Sequence, residues 1–135
     1  MFRTQIPVRF ADCDPAGIVF FPRYYEMANA VVEDWFAGPL GYDFNRLHVQ
    51  EDLAVPAVHM EATFHAPSRI GDLLEFSLKL LRLGQSSFTH EVQAVYGGEP
   101  RFTLQTTSVM ISKSTGRPMP IAGALRAAMQ AEVAA

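Results

Sequence analysis

Apolar positions along the chain follow two rhythms. From Pro22 they recur at helical spacing, at Tyr24, Tyr25, Met27, Ala28, Val31, Val32, Trp35 and Phe36, until Gly38-Pro39 stops the pattern after Ala37. The spacing predicts a helix ~24 Å long at 1.5 Å per residue. Its wide stripe is heavy with aromatics, and Ala28 and Ala30 allow close backbone approach. This is the element a sheet would fold around.

Elsewhere the period is two. Thr4 to Phe10 alternates loosely and reads as a first strand. After a short helix over Tyr42 to Gln50, with Asp43 as its N-cap, four strand-like runs follow. Val55 to His65 alternates at Val58, Met60, Ala62 and Phe64. Asp72 to Leu83 sets Leu74, Phe76, Leu78 and Leu80 on one side. Ser86 to Tyr96 sets Phe88, His90, Val92, Ala94 and Tyr96 in one phase, and Arg101 to Ser112 does the same with Thr103, Gln105, Thr107, Val109 and Ile111. Pro67-Ser68, Gly84-Gln85 and Gly97-Gly98 supply the turn chemistry between them. Ala122 to Ala134 reads as a closing, alanine-rich helix, frayed at its end.

Closely spaced strands imply hairpins, and hence an antiparallel sheet. One strand, a long helix and four further strands make an α+β arrangement, five strands curled around one central helix. Such a sheet leaves a face and an edge uncovered, and association in pairs is the economical remedy.

Composition narrows the class. A chain of 135 residues, 49% hydrophobic and 19% charged, fits one domain over 1–135 with one core. The longest apolar run, Ala16 to Phe21, is far too short to span a bilayer. Met1 to Gln5 lacks the apolar core of a secretory signal. A single cysteine excludes an internal disulfide. A cytoplasmic location without a membrane partner is the expectation. The net charge of −3 argues against general nucleic-acid binding. Residues 1–67 carry nine acids and four bases, whereas 68–135 carry five acids and seven bases. The basic second half can meet phosphates or be an ordinary solvated surface.

The chemistry concentrates in Asp12-Cys13-Asp14-Pro15-Ala16-Gly17, directly ahead of the helix. Pro15 removes a backbone donor and pushes Asp14 toward extended geometry, while Gly17 opens a backbone path closed to other residues. Pro22 fits the first helical turn, where its missing N–H costs nothing. A carboxylate held beside free helix N-terminal amides can attack or activate water while those amides stabilise an oxyanion. Asp12 and Asp14 can equally be turn formers that bond nearby amides. As a carboxylate pair they would suit glycoside chemistry, but Cys13 and Pro15 make a shared face doubtful.

The run Phe10-Ala11-Asp12-Cys13-Asp14-Pro15-Ala16-Gly17-Ile18-Val19-Phe20-Phe21-Pro22-Arg23-Tyr24-Tyr25 resembles the signature of the 4-hydroxybenzoyl-CoA thioesterase family. Val55-Pro56-Ala57-Val58 and Ala62-Thr63-Phe64 fall where that family starts its second strand. The resemblance implies a hotdog fold, an aspartate-proline branch, and an acyl-CoA thioester as substrate. Coenzyme A then enters as part of the substrate, with no separate cofactor. It also implies a homo-oligomer, dimer or tetramer, with active sites at the subunit interface. Asp14 would act on the thioester as nucleophile or base, and Asp12 would be structural. The Phe21 backbone N–H would polarise the carbonyl, since Pro22 cannot donate, and Gly17 would shape the turn. Phe20, Tyr24 and Tyr25 are candidates to line an acyl pocket, and His59 to approach the site across a dimer. The family docks phosphates after its third strand. Here that turn reads Arg82-Leu83-Gly84-Gln85-Ser86-Ser87, less basic than in the hydroxybenzoyl enzyme, so Arg82, Ser86, Arg69 and Arg117 are the candidates.

Other groups read as structural. Cys13 has no histidine partner and reads as a packed thiol. His59, Glu61 and His65 could align on one strand face, but a zinc site needs further ligands, and no metal is expected. His48 and His90 read as surface or half-buried residues. Two alternatives stay open: a non-catalytic acyl-CoA binding protein of the same fold, and an aspartate-base isomerase on an unrelated α+β scaffold.

Overall fold

The computed structural model describes residues 1–134. Its order is β1 (Phe2–Pro7), a 3-10 turn (Phe10–Asp12), α1 (Phe21–Ala37), a π-helical turn (Asn45–Gln50), β2 (Leu53–Ala54), β3 (Ala57–Phe64), β4 (Leu73–Leu83), β5 (Ser87–Tyr96), β6 (Glu99–Val109), β7 (Ile111–Ser112) and α2 (Gly123–Ala134). Five strands pair antiparallel in the order β1-β4-β5-β6-β3, while β2 and β7 form a separate ribbon. This is the expected α+β hotdog arrangement, a sheet wrapped on a long helix.

The helix forms where the apolar stripe placed it. Tyr24, Met27, Ala28, Val31, Trp35 and Phe36 are its buried residues, Pro22 lies in its first turn, and the Gly38 N–H donates to Asp34 O at 2.8 Å to end it. These side chains meet Leu74, Phe76, Leu78 and Leu80 of β4, and Phe88, Val92 and Ala94 of β5, in one core. Burying each large side chain contributes about 1.5–3 kcal/mol. The closing helix α2 adds Leu125 and Met129 to the core, and its Glu132 accepts the Trp35 Nε1–H at 2.8 Å.

Several boundaries differ from expectation for physical reasons. The first strand starts at Phe2 and stops at Pro7, and Phe10 belongs to the 3-10 turn instead of a strand. The run Val55 to His65 starts late, since β3 begins at Ala57 after Pro56, and Leu53–Ala54 just ahead of it, not expected as a strand, pairs with Ile111–Ser112. The run ending at Ser112 breaks likewise at Met110, whose N–H turns to Ser86 O at 2.8 Å. The short helix over 42–50 is a six-residue π-helical turn, although Asp43 does take the Arg46 N–H at 2.8 Å as a cap would. On β6 the core-facing phase is Phe102, Leu104, Thr106 and Ser108, opposite to the phase that Thr103, Gln105 and Thr107 share.

Candidate active site

Each backbone group around Asp14 is tied down. The Asp12 carboxylate accepts the Arg9 N–H at 2.9 Å, and the Asp12 carbonyl accepts the Phe20 N–H at 2.9 Å. Asp12 therefore staples both ends of the segment and is structural. Between them Cys13 bridges Val19, and the Asp14 N–H donates to Ile18 O at 3.0 Å. The Gly17 N–H returns to Asp14 O at 2.9 Å, closing a turn over Asp14-Pro15-Ala16-Gly17. Gly17 sits at φ +81°, in the left-handed region that a side chain would strain.

Asp14 is half-buried, with Oδ1 accepting the Ala16 N–H at 2.9 Å. No group among the described residues bonds its Oδ2. Phe20 caps α1 and Phe21 is the first helical residue. Among the described residues no carbonyl accepts the Phe21 N–H, because an amide at this position has no intrahelical partner. An available carboxylate oxygen and an unpaired amide thus flank one rigid eight-residue bend.

A buried polar network supports that bend from behind. The Val19 N–H donates to Ser68 O at 2.9 Å, and Ile18 bridges Arg69. The fully buried Ser68 hydroxyl receives the Tyr24 hydroxyl at 2.9 Å and Arg101 Nη1 at 3.1 Å. Arg101 also reaches Asp72 Oδ2 at 3.0 Å, Pro67 O at 2.9 Å and Glu99 Oε1 at 2.7 Å. Burial alone would raise the Asp72 pKa. The Arg69 N–H and then Arg101 outweigh it and hold the carboxyl below its ordinary range. Burial likewise opposes the Arg101 charge, and bonds to Asp72 and Glu99 reverse that effect. Sequence reasoning missed Ser68, Asp72 and Arg101. Ser68 and Asp72 share the β3–β4 loop but Arg101 comes from β6, and the only local signal was a turn at Pro67-Ser68.

A groove of about 840 Å³ opens along the flank of α1. Tyr25, Ala28 and Val32 line one side, and Met60, Phe88 and Leu104 the other. Tyr25 follows Phe21 by one turn, so the groove begins about 6 Å along the helix from the unpaired amide. Neither Asp14 nor Phe21 lines it. On its floor lie His90 and Thr106, directly opposed on β5 and β6. Contrary to the sequence reading, His90 is 3% exposed. Among the described residues, its Nδ1 and the Thr106 Oγ1 are buried without a hydrogen-bond partner. Burial pushes the His90 pKa down to about 4, leaving the imidazole neutral. Each orphaned polar group costs about 1–3 kcal/mol.

The remaining candidates scatter. Tyr24 is buried, stacked on Phe102 with centroids 4.8 Å apart, and belongs to the core. Phe20 and Phe21 are exposed and pack edge-on at 5.5 Å. Arg69 adjoins the Asp14 bend through its bridge to Ile18, with an exposed side chain. Arg82 and Ser86 lie at the far end of β4, about 30 Å of strand from the end that meets Pro7. Arg117 is exposed beside β7, where its carbonyl accepts the Ser112 N–H at 2.9 Å. His59 stands on the outer face of β3, exposed, 3.5 Å from Glu61. His65 turns instead to Thr103 Oγ1 at 2.8 Å.

Similarity to known proteins agrees with this frame. The family model described as the thioesterase-like superfamily matches residues 8–129. A 1,4-dihydroxy-2-naphthoyl-CoA hydrolase of Synechococcus elongatus is 26% identical over 121 residues, covering 89% of this chain and 88% of its own. One from Acaryochloris marina is 32% identical over 94 residues, 68% of each chain. The crystal structure of a 1,4-dihydroxy-2-naphthoyl-CoA thioesterase from Synechocystis superposes with a TM-score of 0.88 at 24% identity, covering 96% of this chain and 95% of that one. The shared fold removes the alternative of an isomerase on an unrelated scaffold.

Proposed function

We propose that this chain, which belongs to the thioesterase-like superfamily, hydrolyses aromatic acyl-CoA thioesters to the acid and coenzyme A. The observation that supports the reading is the bend that leaves Asp14 Oδ2 and the Phe21 N–H without a partner among the described residues, and both would act on one thioester carbonyl. The amide and the helix dipole stabilise the oxyanion as it forms. Asp14 acts as nucleophile or as base on water. Gly17 holds the geometry, Tyr25 lines the groove, and the exposed Phe20 would meet the acyl group on its way in. The aryl preference draws on the naphthoyl-CoA relatives and on the apolar groove. Its motif also resembles the signature of the 4-hydroxybenzoyl-CoA branch.

A second copy completes the site. The edge strand β3 exposes Val58, Met60 and Phe64 on the phase that faces α1, an apolar edge that a partner would cover. Arg69 then offers charge to the coenzyme A phosphates beside Asp14. Arg82, Ser86, Arg117 and His59 would reach that site only from the second copy.

The test is Asp14→Asn, assayed by thiol release over a panel of aryl, short-chain and long-chain acyl-CoA esters. Turnover falls by about 10²–10⁴-fold, while sedimentation shows an unchanged oligomer larger than a monomer. Near-normal hydrolysis by the variant removes the assigned role. Tight ester binding without thiol release by the wild-type protein would favour the non-catalytic alternative.

A further inference from the structure

The inner face of the sheet changes character beneath the groove. On β5 and β6 the paired positions Ala94–Phe102 and Val92–Leu104 are apolar, and the next pair along is His90–Thr106. One step away on the opposite face, the Thr89 and Thr107 hydroxyls satisfy each other at 2.9 Å. His90 and Thr106 are also register partners, yet no bond joins them, and among the described residues neither Nδ1 nor Oγ1 finds any other acceptor or donor. Both residues are more than nine-tenths buried, both line the groove, and the proposed catalysis uses neither. Trp35 and Phe88 pack against the imidazole, with ring centroids at 6.4 and 5.8 Å. Two unpaired polar groups in so apolar a setting are retained at a loss unless a ligand completes them.

We propose that His90 and Thr106 form a polar subsite in this groove that hydrogen-bonds an uncharged hydroxyl or carbonyl on the aromatic part of the acyl group, an inference that rests on the acyl-CoA reading of the site. A neutral imidazole supplies one donor and one acceptor, and the threonine hydroxyl supplies both, so the pair can meet a phenolic hydroxyl in either sense. Burial holds the imidazole uncharged. No lysine or arginine lines the groove and Glu26 stands on its wall, which disfavours an anionic substituent. A volume of about 840 Å³ accommodates a fused aromatic ring.

The experiment compares kcat/KM for 2-naphthoyl-CoA and its monohydroxylated regioisomers in the wild-type protein, Thr106→Val and His90→Phe. The wild type favours at least one hydroxylated ester by about tenfold or more, and Thr106→Val brings that ratio to within about twofold of one. Taking the ratio within each protein cancels any general loss of activity. A wild-type ratio near one for every regioisomer, or a preference unchanged in both variants, overturns the subsite. Binding supplies a readout without turnover: the dissociation constants of 2-naphthol and naphthalene, by NMR titration on the same proteins. Naphthol preference that Thr106→Val abolishes, without thioester hydrolysis, keeps the subsite and removes the catalytic reading. Hydrolysis without hydroxyl discrimination does the reverse, and loss of both removes both.

Discussion

Behind the Asp14 bend, Ser68, Asp72 and Arg101 bury their polar atoms with every buried one bonded, whereas under the groove His90 and Thr106 bury theirs without a partner. The two clusters sit in one small core and use similar chemistry. A satisfied network fixes geometry, because moving any member strands the others. An unsatisfied pair fixes nothing in the free chain and is available to something else. On the proposed function the first cluster holds the Asp14 bend in place, and on the proposed subsite the second reads the acyl group.

The contrast breaks most readily from the satisfied side. Arg101→Met leaves the Asp72 carboxylate and the Ser68 hydroxyl without their shared donor. Breaking such a pair costs about 3 kcal/mol, given that Asp72 keeps some solvent. Urea unfolding measures it, and a loss below about 1 kcal/mol would show that the network does not support the bend.

Acid is the next lever. His90 has its pKa lowered in the folded chain from 6.5 to about 4, so the unfolded chain binds more protons between these values. Stability is therefore full above pH 6.5 and falls as pH drops toward 4, by about 3 kcal/mol in total. The lowered Asp72 pKa extends the loss to lower pH, since stability from that carboxylate vanishes as it protonates. Thermal melts from pH 8 to pH 4 should show His90→Phe with a flatter profile than the wild type, and parallel profiles would rule out a buried neutral imidazole.

Gly17→Ala tests the bend locally. The added Cβ meets nothing within 4 Å, so the effect comes only from holding alanine at φ +81°. A destabilisation of about 1 kcal/mol is expected, readable as a shift in the urea midpoint. Thr106→Val is the smallest change in stability. Removing an orphaned hydroxyl is neutral or stabilising by up to about 1 kcal/mol, and a clear loss of Tm would mean that the hydroxyl is satisfied after all.

Local chemistry made much of this chain legible from its residues alone. The helix over 21–37 was visible in its apolar spacing and in Pro22 and Gly38, because a period of 3.6 and its stop signals are properties of neighbouring residues. The Asp14 bend was visible for the same reason, since Pro15 and Gly17 constrain their own backbone and need no distant partner. The five main strands were legible, but their ends and the short strand Leu53–Ala54 were not, because Pro56 and Met110 divert their chains only where a second ribbon waits to pair. What stayed hidden depended on residues far apart in the chain. Ser68 and Asp72, neighbours in one loop, look unremarkable until folding brings Arg101 of β6 and Tyr24 of α1 onto them. His90 and Thr106 read as ordinary positions in alternating strands, and only the sheet register under α1 buries them facing one another. Sequence alone determined the rigid bend and the helix it starts, through steric limits that act over a few bonds. Tertiary structure decided which polar groups are satisfied and which remain open, because burial and pairing are set by contacts that no local pattern encodes.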